Sequence, residues 1–383
     1  MSVKTIVFVG FRKSAITAAL ALGFEIILWD ETPPSKKNTV NFKAVLLSLF
    51  PNDDEELSKS LITQLRSFPS IVAVISAKEN TVVPAAKLRE ALKLPGNNVT
   101  VATHCHDKYV MKQCAEKSKI QIAPYVFIDR PLAPEQLVDN LGLPIIFKPK
   151  DASGSRGIKK IAMPTELASL PIDHLAEKYI EGQQYSIESF IHKGEVVFQN
   201  ITEYFQVGTC NIMPANIPPG IFKKMNDLNQ AVIKAFNIER GMTHLEVYIS
   251  REDLIFGEIA LRPPGGYLME LLTLTYGFNA WQAFIHAEIG SKLNLPAQPT
   301  CYSGVWVIHP GEGQVISCED ASAIHNQPCI KSVSLRLKLG DRLKMRQGLG
   351  EDYGRIIFSA SSHEEIIHAI LNTQKKLNIV VLG

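Results

Sequence analysis

Residues 144–161 read Pro-Ile-Ile-Phe-Lys-Pro-Lys-Asp-Ala-Ser-Gly-Ser-Arg-Gly-Ile-Lys-Lys-Ile: an apolar run, a small-residue loop and the start of a second apolar run. The pattern predicts a strand, a loop and a strand. Ser153, Gly154, Ser155 and Gly157 let backbone N–H groups close on an anion without interference from Cβ atoms, and Lys148, Lys150 and Arg156 place positive charge beside them. Polyphosphate binding is the chemistry suggested; a plain hairpin loop with solvated basic residues is the alternative. A Walker loop is excluded, since no Gly-Lys-Ser/Thr opens a helix here.

Downstream, residues 244–249 and 254–262 are strand patterns joined by a polar turn, with Glu246 on the first and Glu258 on the second. Antiparallel pairing would bring both carboxylates onto one face, where they repel unless a hard cation lies between them. Magnesium carrying a polyphosphate fits that place, and the alternative has the two residues solvated at opposite ends of a hairpin. Arg262 follows on the same face by strand alternation. It precedes Pro263, Pro264, Gly265 and Gly266, a turn that can hold a ligand close to backbone.

Upstream, residues 5–9, 14–22 and 25–29 form a βαβ pattern, and apolar runs at 44–49 and 71–75 alternate with helical patterns at 55–65 and 84–92. The expectation is a small parallel α/β domain. Asp30 and Glu31 stand where a dinucleotide-binding domain has its ribose-binding acid, but the loop after Gly10 lacks the further glycines of that motif. His104 and His106 alternate on an extended segment and are candidate metal ligands without a third nearby; a satisfied polar junction is the alternative. Asp107 is expected to cap a helix from residue 108 to about 119 whose apolar face is Val110, Met111, Cys114 and Ala115. Further on, residues 165–170 read as a short helix, 176–180 as a short strand and 184–190 as an alternating strand.

A chain of 383 residues accommodates two or three packed domains, and 46% hydrophobic with 20% charged residues is the composition of a globular protein. The net charge of +2 is spread over mixed-sign sequence, which argues against dedicated nucleic-acid binding. Six scattered cysteines suggest neither a zinc site nor a disulfide framework. No apolar run approaches the roughly 18 residues of a membrane span, and no secretory leader pattern opens the chain. A cytoplasmic protein is expected.

Taken in order, these segments resemble the ATP-grasp superfamily, and within it the carboxylate–amine ligases near biotin carboxylase and bacterial L-amino-acid ligases. Lys108, after Asp107, looks like the lysine that touches the ATP phosphates. Lys148 looks like the strand lysine beside adenine and the α-phosphate, and Ser153, Gly154, Ser155, Arg156 and Gly157 look like the lid loop. Glu177, Lys178, Tyr179 and Ile180 resemble the hinge whose backbone recognises adenine. Gln184 stands where a ribose-binding Glu is common, and Glu246 and Glu258 match the two magnesium carboxylates. The family's second carboxylate opens Glu-x-Asn; here Glu258 is followed by Ile259 and Ala260, and Ala260 cannot ligate a metal.

The resemblance implies an α/β (α+β) ATP-grasp fold. It would comprise an N-terminal Rossmann-like preATP-grasp domain (1–104), a central ATP-grasp domain (105–300) with a lid subdomain at about 118–178, and a small β-rich C-terminal domain (301–383). It implies ATP and magnesium as cofactors, small-molecule carboxylate and amine substrates, and a homodimer as the usual arrangement. The reaction would join a carboxylate to an amine through an acyl phosphate, with Lys148 and Arg262 as the catalytic side chains and Arg262, Gly265 and Gly266 at the substrate. A bicarbonate-using carboxylase and a nucleotide-binding regulatory protein are the alternatives. For the second substrate, Tyr204, Phe205, Asn211, Tyr267, Met269 and Glu270 are candidate lining residues, with ordinary core packing as their alternative.

Overall fold

The structure is a computed structural model that describes residues 3–35, 40–51, 56–167, 170–324, 327–348 and 350–383. Four parallel strands come first: β1 (Thr5–Val9), β2 (Glu25–Asp30), β3 (Ala44–Leu47) and β4 (Ile71–Ser76), in the order β3-β2-β1-β4. Helix α1 (Lys13–Ala21) connects β1 to β2, α2 (Lys59–Arg66) connects β3 to β4, and α3 (Val82–Leu92) follows β4. β1 is buried along its whole length, as a central parallel strand covered on both faces must be. Asp30 ends β2 by accepting from the Phe11 amide at 2.7 Å and the Glu31 amide at 2.8 Å. It thereby closes the loop after β1, which is a structural use for the acid that a dinucleotide site would need. The helix expected at 55–65 begins at Lys59, and Glu55 lies outside the described residues.

Residues 103–108 are not extended. Helix α4 (Val99–His104) ends on His104, and α5 (Lys108–Lys117) starts after Asp107, whose carboxylate accepts from the Tyr109 and Val110 amides at 2.8 and 3.0 Å. The cap satisfies two of the helix's orphan donors, a contribution of about 1 kcal/mol. His104 turns its ring edge to Phe236, whereas His106 Nδ1 meets Glu79 Oε1 at 3.0 Å, so the two imidazoles do not converge on one site.

The next unit is a four-stranded sheet of β5 (Tyr125–Ile128), β6 (Ile145–Pro149), β7 (Lys159–Ile161) and β8 (His174–Lys178), ordered β5-β8-β6-β7 and backed by α6 (Pro134–Leu141). The expected strand, loop and strand are β6, residues 150–158 and β7. The short helix expected at 165–170 is a single 3-10 turn, Pro164–Leu167; Ala168 and Ser169 lie outside the described residues.

The largest layer contains β9 (Gln183–His192), β10 (Glu195–Gln206), β11 (Cys210–Met213), β12 (Arg240–Ser250) and β13 (Asp253–Ala260), with α7 (Pro219–Ala235), α8 (Leu268–Tyr276) and α9 (Ala280–Glu288) packed on it. Beyond residue 300 follow β14 (Tyr302–Ile308), β15 (Gly313–Ser317), β16 (Ile330–Leu335), β17 (Arg342–Leu343), β18 (Gly354–Ala360), α10 (His363–Leu377) and β19 (Val380–Leu382). Here the sheet order β13-β12-β9-β10-β11-β14-β18-β16 runs through the boundary expected at 300. Strands β17, β15 and β19 make a separate small sheet. Among the described residues no helix is long and apolar enough to cross a membrane.

Strand periodicity sorts the central sheet. On β9, Tyr185, Ile187 and Ile191 turn into a core with Met111 and Ala115 of α5 and Met225, Val232 and Ile233 of α7. Gln184, Ser186 and Glu188 point to the opposite face, and farther along that face Phe190 packs among α8 and α9 residues. A polar stripe is thus left on one end of an otherwise apolar surface.

Candidate active site

Two rows of that stripe follow from register. Across β10, β9, β12 and β13, Thr202, Ser186, Glu246 and Glu258 stand side by side, and the neighbouring row is Asn200, Glu188, His244 and Ala260. Glu246 and Glu258 are therefore directly opposed, as the strand patterns led one to expect, and their side chains keep 23% and 28% of their surface exposed.

Glu246 is held from two sides. Gln184 Nε2 donates to its Oε2 at 3.0 Å, and His244 Nε2 lies 3.6 Å from its Oε1. His244 Nδ1 meets the fully buried Glu188 at 3.1 Å, and Glu188 also accepts from Ser186, Asn200 and Thr202. Burial pushes the His244 imidazole towards neutrality, but its hydrogen bonds to Glu188 and Glu246 raise its pKa to about 9. Burial likewise opposes the ionised form of Glu246, and the contact with His244 overcomes it, leaving the carboxyl below its ordinary value.

Lysines surround the pair. Lys108 Nζ is 3.7 Å from Glu258 Oε2 and also donates to the Ala152 carbonyl, tying α5 to the 150–158 loop. Its backbone N–H donates to the Lys150 carbonyl at 2.8 Å, and Lys150 Nζ returns to Asp107 at 3.6 Å. Within the loop Gly154, Ser155 and Gly157 take φ of 64°, 62° and 69°, the left-handed region in which successive amides turn towards one concavity. Lys148 Nζ lies 2.9 Å from Glu177 Oε1, and Lys112 Nζ lies 3.3 Å from Glu177 Oε2. Burial pulls the Lys148 ammonium down, yet Glu177, Glu258 and Glu246 together hold its pKa above the ordinary lysine value.

Of the residues expected at the hinge, Glu177 and Lys178 end β8; Glu177 pairs with Ile146 and Tyr125, and its carboxylate faces Lys112 and Lys148. The Lys178 amide donates to Pro124 O at 2.9 Å and the Tyr179 amide to Pro144 O at 3.1 Å. The Ile180 N–H has no partner among the described residues, and Lys160 Nζ sits 3.7 Å over the Tyr179 ring.

Arg262 also departs from expectation. β13 ends at Ala260, so strand alternation no longer sets its direction. Its Nε donates to Glu79 Oε2 at 2.5 Å and its Nη1 to Pro263 O at 2.9 Å, which turns the guanidinium towards the N-terminal sheet. Burial favours a protonated Glu79, but Arg262 and His106 hold its pKa down at about 2. Beyond Gly265 and Gly266, Tyr267 donates to Asp352 at 3.0 Å beneath Arg355, Met269 is core and Glu270 is exposed.

The donor set suits a hard cation. Glu246 and Glu258 offer carboxylate oxygens and Ala260 offers none; among the described residues no group of three or more His, Cys, Asp or Glu forms a metal cage. Such a site suits an ion that takes its remaining ligands from water and a bound polyphosphate.

The chain is similar to several known proteins. A family model described as "ATP-grasp domain" matches residues 168–269. The L-arginine-specific L-amino acid ligase of Bacillus subtilis is 23% identical over 350 residues, covering 83% of this chain and 82% of that protein. The crystal structure of an L-amino acid ligase from Bacillus licheniformis superposes with a TM-score of 0.82 at 17% identity, covering 99% of each chain. The biotin carboxylase domain of Hydrogenobacter thermophilus 2-oxoglutarate carboxylase, solved with MgADP and bicarbonate, gives a TM-score of 0.70 at 16% identity, covering 100% of this chain and 92% of that one. The domain match covers residues 168–269, and the whole chain has the fold of that L-amino acid ligase structure.

Proposed function

We propose that the protein is an ADP-forming ligase that joins a carboxylate to an amine through an acyl phosphate. The observation that carries the reading is the directly opposed Glu246–Glu258 pair, flanked by Lys108, Lys148 and the 150–158 loop. A carboxylate oxygen of the first substrate attacks the γ-phosphorus of ATP, and the bond to ADP breaks. The amine then attacks the acyl carbon, loses a proton and expels phosphate. This chemistry needs no protein nucleophile; it needs charge neutralised and reactants aligned.

Glu246 and Glu258 would hold the magnesium, which when bound with ATP neutralises the polyphosphate. Lys108 and Lys148 place ammonium groups beside the phosphates, and the amides of residues 153–157 close over them. Closure excludes water, which otherwise hydrolyses an acyl phosphate. The Ile180 amide is left free for the adenine edge, and Gln184 can donate to a ribose hydroxyl or remain on Glu246. Arg262, oriented by Glu79, is the candidate for holding the substrate carboxylate beside Gly265 and Gly266.

The test is a coupled assay of ADP release over a panel of amino acids and amines, with a bicarbonate arm. Stimulation by a carboxylate and amine pair is expected. Stimulation by bicarbonate alone would replace this reading with a carboxylase, and tight nucleotide binding without any turnover would replace it with a regulatory protein.

A further inference from the structure

Lys112 is a buried cation to which the reaction above gives no role. It lies on the inner face of α5 with its side chain 1% exposed; the side chains of Glu177 and Lys148 are 8% and 10% exposed. One carboxylate is shared by two ammonium groups, at 3.3 Å from Lys112 and 2.9 Å from Lys148. These are charge contacts without hydrogen-bond alignment, since Lys112 Nζ and Glu177 Oε1 have no hydrogen-bond partner. The Lys112 ammonium also lies 5.9 Å from the centre of the Phe256 ring.

An isolated Lys148–Glu177 pair would be neutral, and its carboxylate would compete with any phosphate for Lys148. Compensating the same carboxylate from behind changes the balance. Two lysines and one glutamate leave a surplus positive charge; Glu258 acts on both ammonium groups, and Lys148, the more exposed of the two, also feels Glu246.

We propose that Lys112 is a positioning residue for nucleotide binding: it holds Glu177 from the buried side and so leaves Lys148 available to the phosphates. The inference rests on the ATP reading above. The electrostatics of the partners run the same way. Burial raises the Glu177 pKa, but Lys112 and then Lys148 bring it below the ordinary carboxylate value. Burial draws Lys112 below the ordinary lysine value, with Glu177 acting against it.

The test separates charge from architecture. Wild type, Lys112→Arg, Lys112→Met, Glu177→Gln and the Lys112→Met/Glu177→Gln double variant are titrated calorimetrically with ADP and with adenosine in magnesium chloride. Lys112→Met is expected to weaken ADP by about tenfold and adenosine by less than about twofold, because only the phosphates meet the lost charge. Lys112→Arg is expected to stay within about threefold of wild type, and the double variant, which restores the net charge, to recover ADP affinity to a similar degree. A purely structural Lys112 predicts the opposite: ADP and adenosine weaken together, and the double variant binds no better than Lys112→Met. Either result overturns the proposal. Should Lys112→Met not fold, wild type against the double variant carries the comparison, with ADP affinities within about threefold of each other; a double variant about tenfold weaker for ADP overturns it. A wild type that binds neither ligand removes the nucleotide reading and this inference together. A wild type that binds ADP no more tightly than Lys112→Met does removes this inference alone.

Discussion

Glu246 and Glu258 face each other across β12 and β13, and the register slips immediately beyond them: Val247 opposes Phe256, so Gly257 stands opposite no residue of β12. The bulge lets the pair meet at the site end of the hairpin while the rest of both strands stays in step.

Gly257 is what allows that bulge to lie flat. A Cβ there would come within 2.9 Å of the Tyr248 ring and 3.0 Å of Glu246 O. Gly257→Val is expected to destabilise the fold by about 1–3 kcal/mol and to lower ADP release further than the loss of folded protein explains. Urea denaturation beside the coupled assay measures both. Activity that merely follows the folded fraction would mean that the bulge does not set the spacing of the carboxylates.

Glu246→Gln and Glu258→Gln keep side-chain size and remove one negative charge each. Each is expected to reduce ADP release by about 100-fold or more, since the charge that would hold magnesium is lost while the strands remain paired. Circular dichroism should match wild type. Raising magnesium should restore part of the rate; a variant with wild-type rate at low magnesium would remove its residue from the metal site.

Lys148→Ala leaves Glu177 with Lys112 alone and takes one ammonium from the phosphate side. ADP formation is expected to fall by about two orders of magnitude with the thermal transition little changed. Full activity would show that the β6 lysine is not at the nucleotide.

Much of this was legible from spacing. The βαβ start, the Asp107 cap and the Glu246–Glu258 pair depend on local pattern and one short turn, and each stands where pattern places it. What pattern hid are partners brought from far away: Lys112 to Glu177, Glu79 to Arg262, Glu188 to His244. A signal for the last existed. Gln184, Ser186 and Glu188, then Asn200, Thr202 and Tyr204, then His244 and Glu246, are polar residues at period two on three neighbouring strands, which marks a polar face inside a buried sheet. Lys108 and Lys112, one helical turn apart beside Met111, similarly mark an inner face that is not wholly apolar. Arg262 takes its direction from Glu79 and not from strand alternation, because β13 ends at Ala260.

Glu79 gives the site a pH dependence. Its pKa falls from 4.5 to about 2 in the fold, so its stabilisation is complete above 4.5 and disappears as pH falls towards 2. That difference corresponds to roughly 3 kcal/mol at neutral pH. Wild type is expected to exceed Glu79→Gln in urea stability by up to about that amount at pH 7, and by less than about 1 kcal/mol near pH 2.5. A constant gap across the range would show that Glu79 contributes packing rather than charge.

Gly348 meets the tip of the 150–158 loop. A Cβ there would lie 2.6 Å from Arg156 Cγ and 3.0 Å from the Gly154 carbonyl oxygen. The Arg156 side chain can swing aside, but the Gly154 backbone cannot without lifting the loop. Gly348 is itself anchored: Arg346 donates from Nη1 to Gly208 O at 2.7 Å and from Nε to Gly348 O at 3.2 Å, and the Gln347 amide donates to Glu351 at 2.9 Å. The C-terminal segment therefore forms a seat on which the 150–158 loop rests. Gly348→Val should hold the loop off that seat and admit water to the acyl phosphate, with far less effect on the distant carboxylates. ADP release is expected to continue while amide product falls, so that the ratio of ADP to product rises by about threefold or more. Quantifying both products in one reaction decides it: a ratio equal to that of wild type would mean that water is excluded without the Gly348 contact, and that the loop closes on other residues.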